Sequence, residues 1–126
     1  NRLDTLVKNN PGQPWLSYYL ADAYMESGQP ELARKTLRYY IRRYPDDFRL
    51  YWYLSRANGE LDRLAEAHQA EAEYHALTGN YRRAIGSLKL AQREAGDDGY
   101  LTQSISSRMA ELERFFSLQK KAEEDL

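Results

Sequence analysis

Residues 14–45 read PWLSYYLADAYMESGQPELARKTLRYYIRRYP, and this stretch decides the fold. Pro14 suits the first turn of a helix, where its missing N–H would have no intrahelical partner anyway. Leu20, Ala21 and Tyr24 then fall on one side of a helix over residues 15–27. Gly28 supplies the permissive backbone that ends it, and Pro30 opens a second helix. That helix carries Ala33, Leu37, Tyr40 and Ile41 as a single stripe, and Pro45 stops it. The small residues Ala21 and Ala33 let two antiparallel helices approach closely. The segment predicts a helical hairpin.

The same pattern recurs along the chain. Pro11 and Pro45 lie 34 residues apart, and a shift by that amount pairs Leu3 with Leu37, Leu6 with Tyr40 and Val7 with Ile41. Residues 1–11 therefore read as the end of a truncated upstream repeat, and residues 12–47 as a complete one. Residues 48–79 form a degenerate repeat, in which Tyr51, Leu54 and Ala67 keep register. There Asn58 replaces the aromatic, and Asp62 replaces the turn glycine. A third hairpin over 63–95 overlaps it, carried by Ala72, Gly79, Tyr81, Ala84, Leu88 and Ala91. Gly28 and Gly79 are one and a half periods apart, so the helix at about 63–78 serves twice. After Gly96-Asp97-Asp98-Gly99, Leu101, Ile105, Met109, Leu112 and Phe116 mark a capping helix over 100–122, which a solenoid needs to cover its last apolar face. The residues from Lys120 onward are expected to fray. The sum is an all-α, right-handed helical-repeat solenoid.

Composition agrees. Among 126 residues, 17 are Leu and 14 Ala, against three Ile and one Val, a balance that disfavours strands. The hydrophobic fraction of 42% can bury a core, and the 29% of charged residues carries both signs. A net charge of −1 speaks against nucleic acid as a partner, because phosphate binding needs a basic excess. No cysteine is present, so disulfides, thiolate nucleophiles and cysteine-based zinc sites are excluded. No run approaches the length of a membrane span, and the chain does not begin with methionine, as an excised piece would not.

The 34-residue hairpin with Leu20-Ala21-x-x-Tyr24, Gly28, Ala33, Leu37 and Pro45 resembles a tetratricopeptide repeat. One position departs, since Ser17 stands where tryptophan is usual and Trp15 lies two residues earlier. Leu20-Ala21-x-Ala23-Tyr24 with Gly28-Gln29-Pro30 and Ala33 comes first. Ala72-Glu73-x-x-Ala76-Leu77-x-Gly79 with Ala84-Ile85 and Leu88 comes next, and Arg108-Met109-x-x-Leu112 closes the series. In this order they resemble the C-terminal repeat region of the β-barrel assembly-enhancing protease family. That resemblance implies a periplasmic location, an M48-type peptidase domain elsewhere in the parent with a His-Glu-x-x-His zinc motif, and repeats that dock on it. It also implies contacts with outer-membrane assembly machinery or its client proteins, in a quality-control role. No His-Glu-x-x-His occurs in this chain, so no catalytic residue and no cofactor is expected here.

Three groups of side chains stand out. His68, Glu71 and His75 share a helix face, but two histidines seven residues apart stand about 10.5 Å apart along the axis, too far to chelate one ion together. A solvated face and no metal site are expected. Arg34, Arg38 and Arg42, with Lys35 and Arg43, form a basic stripe that reads as solvated or as a contact for an acidic partner or anionic lipid. The third group carries the functional signal. Trp15, Tyr18, Tyr19, Asp22 and Glu26 point away from the stripe of the first helix. Arg49, Trp52, Tyr53 and Arg56 (with Glu60) repeat the arrangement opposite Tyr51, Leu54 and Asn58. Trp, Tyr and Arg are the residues enriched at binding hot spots. The expectation is a non-enzymatic module whose concave groove holds a protein or an extended peptide. The alternatives are a regulatory domain docked on the peptidase and a scaffold in an unrelated complex.

Overall fold

The computed structural model describes residues 14–126, so the truncated repeat expected at 1–11 lies outside the described residues. Six helices follow one another: α1 (Trp15–Glu26), α2 (Pro30–Arg43), α3 (Phe48–Glu60), α4 (Leu64–Leu77), α5 (Tyr81–Ala95) and α6 (Gly99–Glu124). No strand occurs among the described residues. Consecutive helices pack on one another, and α1 also touches α3.

The turns explain this order. Three of them share one geometry, in which the last turn of a helix closes on itself through a residue at positive φ. Gly28 (φ 74°), Asp62 (φ 59°) and Gly79 (φ 82°) occupy that position. In each, the next N–H bonds back five residues: Gln29 to Tyr24 O at 2.7 Å, Arg63 to Asn58 O at 2.9 Å, and Asn80 to His75 O at 2.8 Å. This closure satisfies carbonyls that a helix end leaves orphaned. Aspartate tolerates the left-handed region better than most residues, which is why Asp62 can stand in for glycine. The two remaining connections differ. Asp47 and Asp98 cap the helices that follow them, accepting from Arg49 N at 3.0 Å and Leu101 N at 2.9 Å. Gly96 ends α5 at φ 57°, ψ −123°, a conformation open in practice to glycine alone.

Two apolar clusters fill the interior. The first joins Leu16, Leu20, Ala21, Tyr24, Ala33, Leu37, Tyr40, Leu50 and Ala57 from α1–α3. The second joins Ala65, Ala72, Ala84, Ile85, Leu88, Ala91, Ala95, Ile105, Met109 and Leu112 from α4–α6. Ser17, at the position where tryptophan is usual, is fully buried and donates its hydroxyl to Pro14 O. The last helix persists to Glu124, two residues beyond the sequence-based boundary and through the segment expected to fray.

Candidate functional site

The aromatic and charged residues singled out on α1 and α3 occupy two different settings. Trp15 and Tyr19 are 58% and 64% exposed, and Trp52 is 44% exposed. Tyr18 and Tyr53 depart from the helix-wheel expectation. Both are half-buried and pack against the first cluster, so they belong to the edge of the core as well as to the surface. Their rings stack across α1 and α3 with centroids 5.8 Å apart and planes 14° apart. Leu50 and Ala57, both fully buried, set this orientation, since they turn one side of α3 toward α1 and α2.

Polar groups fasten the stack. Tyr18 donates its hydroxyl to Asp47, the cap of α3, and Tyr53 donates to Asp22 Oδ2 at 3.3 Å. Burial, reinforced by the hydrogen bond and charge of Asp47, pushes the Tyr18 phenol up to about 12. Burial and then the Asp22 carboxylate raise Tyr53. Neither phenol therefore ionises near neutral pH. Asp22 also pairs with Arg56 at 3.5 Å, and the Arg56 guanidinium lies 5.0 Å over the Trp52 ring, a cation–π contact. Trp52 meets Tyr53 edge-on at 5.1 Å.

The structure thus brings Tyr18, Asp22, Arg49, Trp52, Tyr53 and Arg56 into one neighbourhood. Trp15, Tyr19 and Glu26 stand apart from this network, out on α1. Two further aromatics complete the site. Phe48 and Tyr74 meet edge to face at 5.9 Å, and with Arg49, Trp52 and Tyr53 they line a cavity of about 200 Å³. Phe48 is four residues before Trp52 on the same helix face, a spacing that could have flagged it. Tyr74 comes from α4, and nothing in its own helix distinguishes it.

Elsewhere the basic stripe breaks. Arg34 is not solvated: it is 9% exposed and pairs with Glu31 at 3.0 Å and Glu66 at 3.8 Å. Arg38, Arg42, Arg43 and Lys35 do face solvent. Glu71 Oε1 is occupied by His68 Nδ1 at 3.0 Å and the Ser87 hydroxyl at 3.2 Å, and His75 takes no part in that set. No group of three or more His, Asp or Glu side chains placed to hold a metal ion occurs among the described residues.

Six antiparallel helices closed by recurrent left-handed turns make a tetratricopeptide-type solenoid, a non-catalytic repeat fold that binds proteins or peptides. Residues 1–58, a little under half of the chain, match the tetratricopeptide repeat family. It is similar to the Beta-barrel assembly-enhancing protease of Yersinia pestis, at 35% identity over 85 residues. The match covers 68% of this chain and 17% of that protein, so the chain spans about a sixth of this relative's length. No described helix is long and apolar enough to cross a membrane.

Proposed function

We propose that the chain is the polypeptide-binding repeat domain of a periplasmic zinc metallopeptidase that acts in outer-membrane β-barrel assembly and quality control. Its ligand is an extended segment of a client or of the assembly machinery. The zinc and the His-Glu-x-x-His motif belong to a separate peptidase domain of the parent, and the division into repeats at 12–47, 48–79 and 63–95 is part of the same proposal. One observation carries the reading. Trp52, Tyr53, Phe48 and Tyr74, edged by Arg49 and Arg56, enclose a cavity at the surface rather than a filled core. Rings with fixed neighbours lose little freedom on binding, and their charged rims orient what they hold. Strands of a membrane β-barrel alternate apolar and polar residues, which suits a row of such rings. The similarity to a protein named for β-barrel assembly supports the choice of client.

The test uses a ten-residue peptide that alternates aromatic and polar residues, titrated against the chain by tryptophan fluorescence. Trp52→Ala should weaken binding about thirtyfold, the equivalent of roughly 2 kcal/mol, while melting close to wild type. If Trp52→Ala melts as early as Tyr24→Ala, Trp52 is core and the groove assignment fails. If the peptide does not bind but the parent's peptidase domain does, the face is an intramolecular dock. The same preparation should not retain stoichiometric zinc after dialysis.

A further inference from the structure

A second cavity, of about 390 Å³, lies on the other side of α3 from the aromatic site. Tyr51, Leu54 and Asn58 line it, whereas Trp52 and Tyr53 line the aromatic cavity; at 100° per residue the two sets are nearly opposite. α2, α4, α5 and α6 supply the remaining walls. The charges in this lining are Arg34, Arg38 and Arg108 against Glu66 and Glu73. Both glutamates are already held. Arg108 grips Glu73 through two bonds of 2.8 Å, and Glu66 meets Arg63 at 2.9 Å and Arg34 at 3.8 Å. Arg34 also takes Glu31, the sole acid on α2, at 3.0 Å. Arg38 is left over. It is exposed in the cavity wall and makes no ion pair among the described residues.

The surplus extends along α2. Lys35 and Arg42 stand three residues before Arg38 and four after it, on the same helix face, and both are exposed without an ion pair among the described residues. In a chain of net charge −1 this is a local excess of one sign, and charge of one sign at a concave wall concentrates the opposite charge there. An arginine offers donors alone and keeps its charge, so an anionic acceptor matches it best. Neutral donors stand in the same lining. The side chains of Tyr51, Gln69 and Ser104 make no hydrogen bond among the described residues. Burial, and then the charge of Glu73, raises the Tyr51 phenol, which therefore keeps its proton. A flat lipid surface would meet the exposed stripe but not the cavity behind it, whereas a carboxylate on a side chain reaches both.

We propose that this cavity and the basic stripe beside it form a second binding site, distinct from the aromatic face, for an acidic segment of a polypeptide. One Asp or Glu carboxylate enters the cavity and accepts from Arg38. Neighbouring acids of the same segment follow Lys35 and Arg42 along α2.

The experiment is a calorimetric titration of the chain with an acetylated, amidated peptide that alternates Glu and Gly, and with its Gln counterpart. The Glu peptide should bind, the Gln peptide should not, and binding should weaken as salt is raised. Arg38→Gln should weaken binding roughly tenfold, the loss of one charge-assisted pair. It should melt like wild type, because the side chain is exposed and unpaired. Arg114→Gln removes an exposed cation from α6, makes the same change in net charge, and should leave binding as it is. Equal losses for the two variants would mean that net charge alone attracts the peptide, which overturns the site. Binding of both peptides alike, or of neither, overturns it too. Phosphatidylglycerol vesicles test the membrane: if they bind the chain through Arg38 and the Glu peptide does not, the face meets lipid and the proposal fails. Trp52→Ala should leave the titration unchanged, so failure of the aromatic site and failure of this one can be told apart.

Discussion

Around α1–α3 the core is built mainly from Leu16, Leu20, Tyr24, Leu37, Tyr40 and Leu50, whereas around α4–α6 half of the cluster is alanine, packed beside Ile85, Leu88, Ile105, Met109 and Leu112. α4 alone buries Ala65, Ala67, Ala70 and Ala72. Helix separation follows the side chains at the contact, so the two halves hold their helices by different means. Large side chains in the first half secure stability through apolar area and leave rings at the edge. Tyr18 and Tyr53 show this, each half in the core and half in the site. Alanines in the second half bury little area each but admit close contact, and such contacts have no room for extra atoms. The first half should therefore suffer from truncation and the second from enlargement.

Truncation should give the largest effect. Tyr24 is 4% exposed within the first cluster, and Tyr24→Ala should cost about 3–5 kcal/mol, seen as an early melt by circular dichroism. A melt near that of wild type would mean that the first half does not depend on its large side chains. Enlargement comes next. Ala72 is fully buried in the second cluster, and Ala72→Leu should cost roughly 1–3 kcal/mol. Gln92 is exposed, and Gln92→Leu should do little. Equal midpoints for these two variants would remove the claim that α4 is closely packed, and with it the proposed sharing of α4 between two hairpins.

These two cases also show what the sequence could convey. The stripes Leu20-Ala21-Tyr24 and Ala84-Leu88-Ala91 are legible because each depends on one helix and its period. The turns at Gly28 and Gly79 are legible because positive φ selects glycine. Leu16, Leu50 and Ala57 are buried yet sit outside the stripes that the sequence suggests, because α1 and α3 each face two neighbours rather than one. The site was half legible for the same reason. Trp52 and Arg56 declare themselves by type and spacing, but the stacking of Tyr18 on Tyr53 and the arrival of Tyr74 depend on how three helices meet. Arg34 misled in the opposite sense: a basic stripe looks solvated until Glu66, thirty-two positions away, is found beside it.

The turns offer a finer comparison. A Cβ built on Gly28 or Gly79 meets no atom within 4 Å, so substitution there isolates backbone strain from any clash. Gly28→Ala and Gly79→Ala should each cost roughly 1–2 kcal/mol. Asp62 already bears that kind of strain at φ 59°, and Asp62→Gly should raise stability by up to about 1 kcal/mol. Chemical denaturation of the three variants measures the difference. If Asp62→Gly destabilises the chain, the strain at Asp62 is smaller than the conformational freedom that glycine adds to the unfolded chain.

The smallest effect separates the halves by pH. Both histidines of the chain lie on α4, and burial lowers the pKa of His75, against the opposing charge of Glu71 and with a smaller lowering by Arg83. The unfolded chain takes up that proton near pH 6.5, whereas the folded chain takes it up only at lower pH. In that interval the unfolded state binds more protons, so stability rises with pH. His75 thus lets the fold keep its full stability above about pH 6.5 and lose part of it as pH falls toward the folded value. At the alkaline end the sign is set by the first half. Tyr18, held up to about 12 chiefly by burial, loses its contribution as pH rises from about 10, where the unfolded phenol ionises, to the folded value. Thermal midpoints of His75→Gln and wild type should therefore converge below neutrality and part above it, while those of Tyr18→Phe and wild type should converge only in alkali. A difference for His75→Gln that stays constant between about pH 5 and pH 8 would show that burial does not govern this histidine, and would return it to the solvated face of α4.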